Sequence, residues 1–300
     1  MRVLAEFIMR GRLQASLVAF LGNLVPLVSP ATVGLVTLRH SLLEGCLVLL
    51  WASLPVVAMF YWSDMSVLLA ATSVVGMVAV VAAAEALRQT LSWSLALMVA
   101  LLASAALMVL VSMLASGSMD TLLVDLQRVL EAMKAKTPGP ESVFYLLIAG
   151  TAIGLGLEQV SSTFVLGFLS WLTVMHVVVS LILARWWQAM LYNPGGFRSE
   201  FHGLRLDRVV ACGLVAAILG CNLVAADYST WASLLGVPLL LSGLGFVHYA
   251  VQFWQLGVQW LVIVYIGLLV FGPLSMVLIG IGFLDSFFDF RVQLAARKRK

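Results

Sequence analysis

A succession of apolar runs, each about 20 residues long and separated by short polar turns, limits how this chain can fold. A run of that length spans the roughly 30 Å hydrocarbon core of a bilayer as a helix. Helices are also the only workable choice, because each satisfies its own backbone hydrogen bonds in lipid. Strands of a membrane barrel would show as short alternating segments, and none occur. Composition agrees: 62% of residues are hydrophobic and 10% charged, against roughly 25% charged for soluble domains. Mean hydropathy is +1.07. The expectation is an all-α polytopic transmembrane helix bundle, one membrane domain over residues 1–300 with no soluble domain.

The expected spans are 4–25, 42–61, 65–87, 91–115, 161–183, 209–226, 231–251 and 261–284, about eight crossings. Pro26 and Pro30 interrupt the first of them and leave a short apolar piece ending at Arg39. Two layouts stay open there: one kinked helix, or a span followed by a half-length return. Gly272-Pro273 breaks the last span, which can itself be a broken hairpin. The segment 142–157 is short and glycine-containing, and either spans or dips. Residues 119–136 carry Met119, Leu122, Leu126, Val129, Leu130 and Met133 at helical spacing. Asp120, Asp125, Arg128, Glu131 and Lys134 oppose them. That is an amphipathic helix, lying in the interface or capping the bundle.

Basic residues gather in three places: Arg2, Arg10 and Arg12; Arg185, Arg198, Arg205 and Arg208; and Arg291 with 297–300. The positive-inside rule makes these cytoplasmic, with both termini inside and hence an even number of crossings. The net charge of +3 is not a nucleic-acid signature. Cys46, Cys212 and Cys221 lie within apolar runs and form no disulfide framework or zinc pattern.

The densest polar and aromatic group is a cytoplasmic loop at 185–208. Trp186 and Trp187 end an apolar run, where indoles anchor a span at headgroup level, and Arg185 snorkels beside Gln188. Tyr192 leads into Asn193-Pro194-Gly195-Gly196, which reads as a type II turn with Gly195 at positive φ. Phe197, Phe201 and Leu204 then recur at helical spacing with Arg198, Glu200, His202 and Arg205 between them, a short amphipathic surface helix. Asp207 is positioned to cap the next helix. The loop serves either as a structural connector or as a partner surface. At the far end, Asp285 and Asp289 share a helix face with Arg291 close behind, which predicts docking of 285–291 onto the loop. The expected pairs are Asp285 and Asp289 with loop arginines, and Arg291 with Glu200.

The run Arg-Trp-Trp-Gln-Ala, then Tyr-Asn-Pro-Gly-Gly-Phe, with the tail Gly282-Phe-Leu-Asp-Ser-Phe-Phe-Asp-Phe-Arg291, resembles the YybS-like family of predicted bacterial inner-membrane proteins. The likeness runs along most of the chain, and these two patches are its specific part. It implies a multi-pass protein of the bacterial inner membrane without an assigned biochemical function. More distantly, such proteins are similar to S components of energy-coupling-factor vitamin transporters, whose short second helix matches the half-length return at 26–38.

Ionisable groups inside spans are costly and mark function or pairing. Glu44 and Glu85 lie near Arg39 and Arg88, and read as interfacial. Glu158 is either solvated outside the bilayer or a buried carboxylate. His176 and His248 are expected to be hydrogen-bonded within the bundle, and Asn23 and Asn222 to bridge helices. No H-E-x-x-H, G-x-S-x-G or Walker A pattern appears, so no enzyme, metal or cofactor is expected. Two functions stay open. One is a small-molecule binding or transport subunit. The other is a non-transporting scaffold that presents the 185–208 loop to a cytosolic or membrane protein. The lipid bilayer is a partner in both.

Overall fold

The computed structural model describes residues 1–25, 27–62, 67–135 and 160–298, with Ile148 and Thr151. Pro26, most of the 142–157 segment and Glu158 lie outside the described residues. All regular structure among the described residues is helical. In chain order the helices are α1 (Arg2–Ile8), α2 (Arg12–Leu21), α3 (Val28–Arg39), α4 (Leu42–Trp62), α5 (Val67–Thr90), α6 (Trp93–Leu114) and α7 (Ser116–Lys134). Then come α8 (Ser162–Tyr192), α9 (Gly196–His202), α10 (Arg208–Val224), α11 (Ser229–Phe253), α12 (Gln259–Val270), α13 (Pro273–Phe288) and α14 (Phe290–Lys298).

Among the described residues, five helices are long and apolar enough to cross a membrane: α4, α5, α6, α8, and α11 with the turn before it, Ala226–Phe253. The other expected crossings fall on shorter elements. The 4–25 run is not one span, because it breaks at Met9–Gly11 into helices of 7 and 10 residues. Arg10 lies within that break and Arg12 begins α2, and two guanidiniums favour an aqueous edge over a continuous apolar helix. The 209–226 run becomes α10, of 17 residues. The 261–284 run splits at Gly272-Pro273: proline lacks the N–H a continuing helix needs and instead sits at the start of α13.

The piece after Pro26 is a separate return helix. Arg12 pairs with Glu44, while Asn23 Nδ2 donates to the Ala52 carbonyl at 2.9 Å, so α2 and α4 run parallel. Helix α3 runs back against both of them and is buried from Ser29 to Leu38. Pro30 falls in its first turn, where a missing N–H costs nothing. Its hydroxyls donate within the helix, Thr32 to Val28 and Thr37 to Val33, each at 2.8 Å. At Gly34 a Cβ would lie 3.1 Å from both Ala184 and Val80, so this short helix is wedged between α5 and α8. Among the described residues Asn222, in contrast, bonds only within its own helix, to Ile218.

Helix α7 buries the expected stripe, Met119, Leu122, Leu126, Val129 and Leu130, with Leu68, Met108 and Phe164. Asp120, Arg128 and Glu131 stay exposed. The amphipathic helix therefore closes one end of the bundle. Midway along their lengths, α11 and α13 meet backbone to backbone. A Cβ on Gly243 would come within 2.1 Å of the Leu278 carbonyl, and one on Gly282 within 2.2 Å of the Leu239 carbonyl. Small residues at a membrane helix crossing allow this approach, and van der Waals contact then holds it.

Candidate functional site

The helix ends opposite α7 bring the arginines together. Arg12 with Glu44, Arg39, the 88–93 turn, the C-terminus of α8, α9 and the 285–291 segment all meet at this end. Arg39 lies over the Tyr192 ring, 4.1 Å from its centroid, a cation–π contact. Glu44 therefore pairs with Arg12 and not with Arg39. Glu85 is held by Arg88 at 2.6 Å and Gln89 at 2.7 Å.

The expected 185–208 loop begins as helix. Helix α8 continues through Arg185, Trp186 and Gln188 to Tyr192, and its 31 residues reach about 46 Å, longer than the hydrocarbon core. Trp186 is 39% exposed, but Trp187 is fully buried and cannot anchor at the headgroups. It faces the bundle because the last turns of α8 stay packed instead of ending at the interface. Its indole Nε1 has no hydrogen-bond partner among the described residues.

The turn has its expected chemistry. Gly196 N donates to the Asn193 carbonyl at 2.9 Å, and Gly195 has φ +87 and ψ −14, the values of the third position in a type II turn. No atom stands within 4 Å of a Cβ built there, so a substitution is penalised by backbone conformation alone. Gly195→Val is expected to cost about 1–2 kcal/mol. Arg198→Ala, at an exposed position, should cost much less. Melting of the two variants in detergent checks this, and equal losses would contradict the turn.

Two clamps hold α9 and the 204–208 segment in place. Glu200 accepts from Arg185 Nη2 at 2.6 Å, from Arg185 Nε at 2.9 Å and from Trp93 Nε1 at 3.2 Å. Arg185 also donates to Gln188 Oε1, and Gln188 Nε2 reaches the Leu38 carbonyl at 3.2 Å. This chain of contacts ties α9 to α8, α6 and α3. Phe197 adds an edge contact with Trp93 and a stack on Phe201, which is buried. The short helix is thus docked on the bundle through one aromatic face.

The second clamp joins the loop to the C-terminal segment. Arg205 pairs with Asp289 and donates to the Ser286 carbonyl at 3.0 Å, while Arg208 reaches the Phe287 carbonyl at 3.4 Å. Arg291 donates to the Leu204 carbonyl at 2.7 Å and pairs with Asp285 at 3.2 Å. Arg291 therefore does not pair with Glu200, which Arg185 already occupies. Asp207 starts α10 without a side-chain cap. Asp289 adopts φ +45 at the end of α13, a left-handed cap that Asp tolerates better than most residues. That cap turns the chain and brings Arg291 back towards Leu204.

No family model, curated protein or solved structure matches the chain.

His248 bonds Tyr265 at 2.9 Å and meets Phe201 edge-on. Half-buried His176 lies over Gly76. Burial, and then the charge of Arg198, push the His202 imidazole below its ordinary value. His202, Tyr249, Gln252 and Arg291 line an open cavity of about 600 Å³ beside the second clamp. Among the described residues, no three His, Cys, Asp or Glu side chains are placed to hold a metal ion. Sequence reading missed Trp93 and Tyr249, the latter donating to the Arg291 carbonyl at 3.1 Å. The signal for Trp93 was its place just after Ser92, which caps α6 through Leu95 N.

Proposed function

We propose that this integral membrane protein is a scaffold of the bacterial inner membrane that presents its arginine-rich end to a cytosolic partner. On this reading the chain is a YybS-like protein, and both termini and the 185–208 loop are cytoplasmic. The observation that carries it is the double clamp. Ion pairs and aromatic contacts hold α9 and the 204–208 segment in one arrangement, while Arg198, Ser199, Asp207 and Arg208 remain exposed. A surface preorganised in this way binds without the entropy cost of ordering a loop. Its exposed arginines suit an acidic partner.

The small-molecule reading is favoured by one feature, the half-length buried helix α3, since discontinuous helices line midplane sites in transporters. Its centre, however, is occupied by packing against Ala184 and Val80 and by internally bonded hydroxyls.

Reporter fusions after Leu206 and at the C-terminus are expected to read cytoplasmic, and a fusion within α7 periplasmic. A photo-cross-linker at position 198 should then capture a protein, and Arg198→Glu with Arg208→Glu should abolish the capture. A cross-linker at Trp62, at the far end, should not capture it. Capture that survives charge reversal, or a periplasmic signal after Leu206, would overturn the proposal.

A further inference from the structure

A cavity of about 260 Å³ lies where the first helices break and turn. Arg10, within the α1–α2 break, and Arg12, at the start of α2, stand at its edge, His40 comes from the α3–α4 turn, and Glu44 from the first turn of α4. Val36 and Val48 supply apolar walls. We infer that this cavity binds a phosphate group, carried by an anionic phospholipid headgroup or by free phosphate.

Charge and shape both point that way. Arg12 gives its Nε and Nη2 to Glu44, which fixes the guanidinium in place but neutralises it. Arg10 has no carboxylate partner among the described residues and only lies 5.9 Å from the Phe7 ring. The cavity therefore keeps one uncompensated guanidinium, the planar donor set best matched to phosphate oxygens. Its volume is below the roughly 300–1,000 Å³ usual for whole small-molecule ligands, and suits a headgroup fragment. The walls are partly apolar, and Leu13, Leu17, Leu43 and Leu47 on the two adjoining helices are exposed. Acyl chains can run along those faces, which favours the lipid as the source. The site does not depend on the scaffold reading, because it uses neither clamp.

The test uses the full chain in detergent, titrated with phosphatidylglycerol and monitored by native mass spectrometry. Arg10→Gln should weaken lipid binding about tenfold, which is about 1.4 kcal/mol. Arg198→Gln, exposed at the same end but outside the cavity, should bind as the unaltered protein does. His40→Gln repeats the test if Arg10→Gln does not fold, with the same loss expected. Inorganic phosphate is added as competitor. No displacement at millimolar concentration assigns the site to the lipid, and full displacement assigns it to free phosphate; both uphold a phosphate site. Unchanged binding by the Arg10 or His40 variant overturns it. So does an equal loss in Arg198→Gln, which would mean general attraction to a basic surface.

Discussion

Asp285→Ala is expected to destabilise the protein by about 3–5 kcal/mol, the cost of stranding a buried charge. Asp285 is fully buried and its partner Arg291 is 11% exposed, so neither can recover hydration once the other is lost. Arg291 also holds the Leu204 carbonyl, and its backbone carbonyl accepts from Tyr249, so the loss spreads to the loop and to α11. The double variant Asp285→Ala with Arg291→Met should regain much of the stability, because it removes both charges. Arg2→Ala provides the contrast. Its pair with Glu6 is 69% and 45% exposed and should contribute about 0–1 kcal/mol. Thermal melting in detergent, read by size-exclusion fluorescence, separates the cases. An Asp285→Ala protein as stable as the unaltered one would show that the buried pair does not hold the C-terminal segment.

Gly243→Val should be comparably damaging by a different mechanism. The new Cβ would lie 2.1 Å from a backbone oxygen of α13, which cannot rotate away as a side chain can. The helices must separate, and each position of overpacking costs about 1–3 kcal/mol before the lost contact is counted. Gly282→Val should behave alike, from the other side of the crossing. Gly280→Val is the control: on the same helix, it has no atom within 4 Å of a built Cβ. The same melting assay applies. Equal melting of the Gly243 and Gly280 variants would mean that α11 and α13 do not approach as described.

How much of this was legible in the chain depends on the range of the interaction. Asn193-Pro194-Gly195-Gly196 was readable as a turn because proline and glycine act on their own φ angles. The stripe of α7 was readable because its period is a property of the helix. Trp187 was not, since a tryptophan at the end of an apolar run meets lipid or protein depending on what packs beside it. The break of the first run at Met9–Gly11 was likewise hidden: residues 4–25 are apolar enough to read as one span, whereas Arg10 lies within a break and Arg12 starts the second of two short helices.

Charge partners were the least legible. Arg291 had Glu200 and Asp285 as equally complementary choices, and Glu44 had Arg39 close by and Arg12 far off in sequence. Coulomb attraction has no sequence preference, so composition leaves such pairings open. By itself, then, the sequence determined that the chain is helical, where its long apolar helices lie and which turn leads into α9. Those depend on hydrophobic length, backbone hydrogen bonding and local φ preferences. Only the tertiary structure decided that α3 is buried between α5 and α8, that Trp187 turns inward, and that Arg205 and Arg291 clamp the two ends of the second half. Those outcomes depend on which helices approach closely enough to exclude lipid, and no local stretch of residues encodes that.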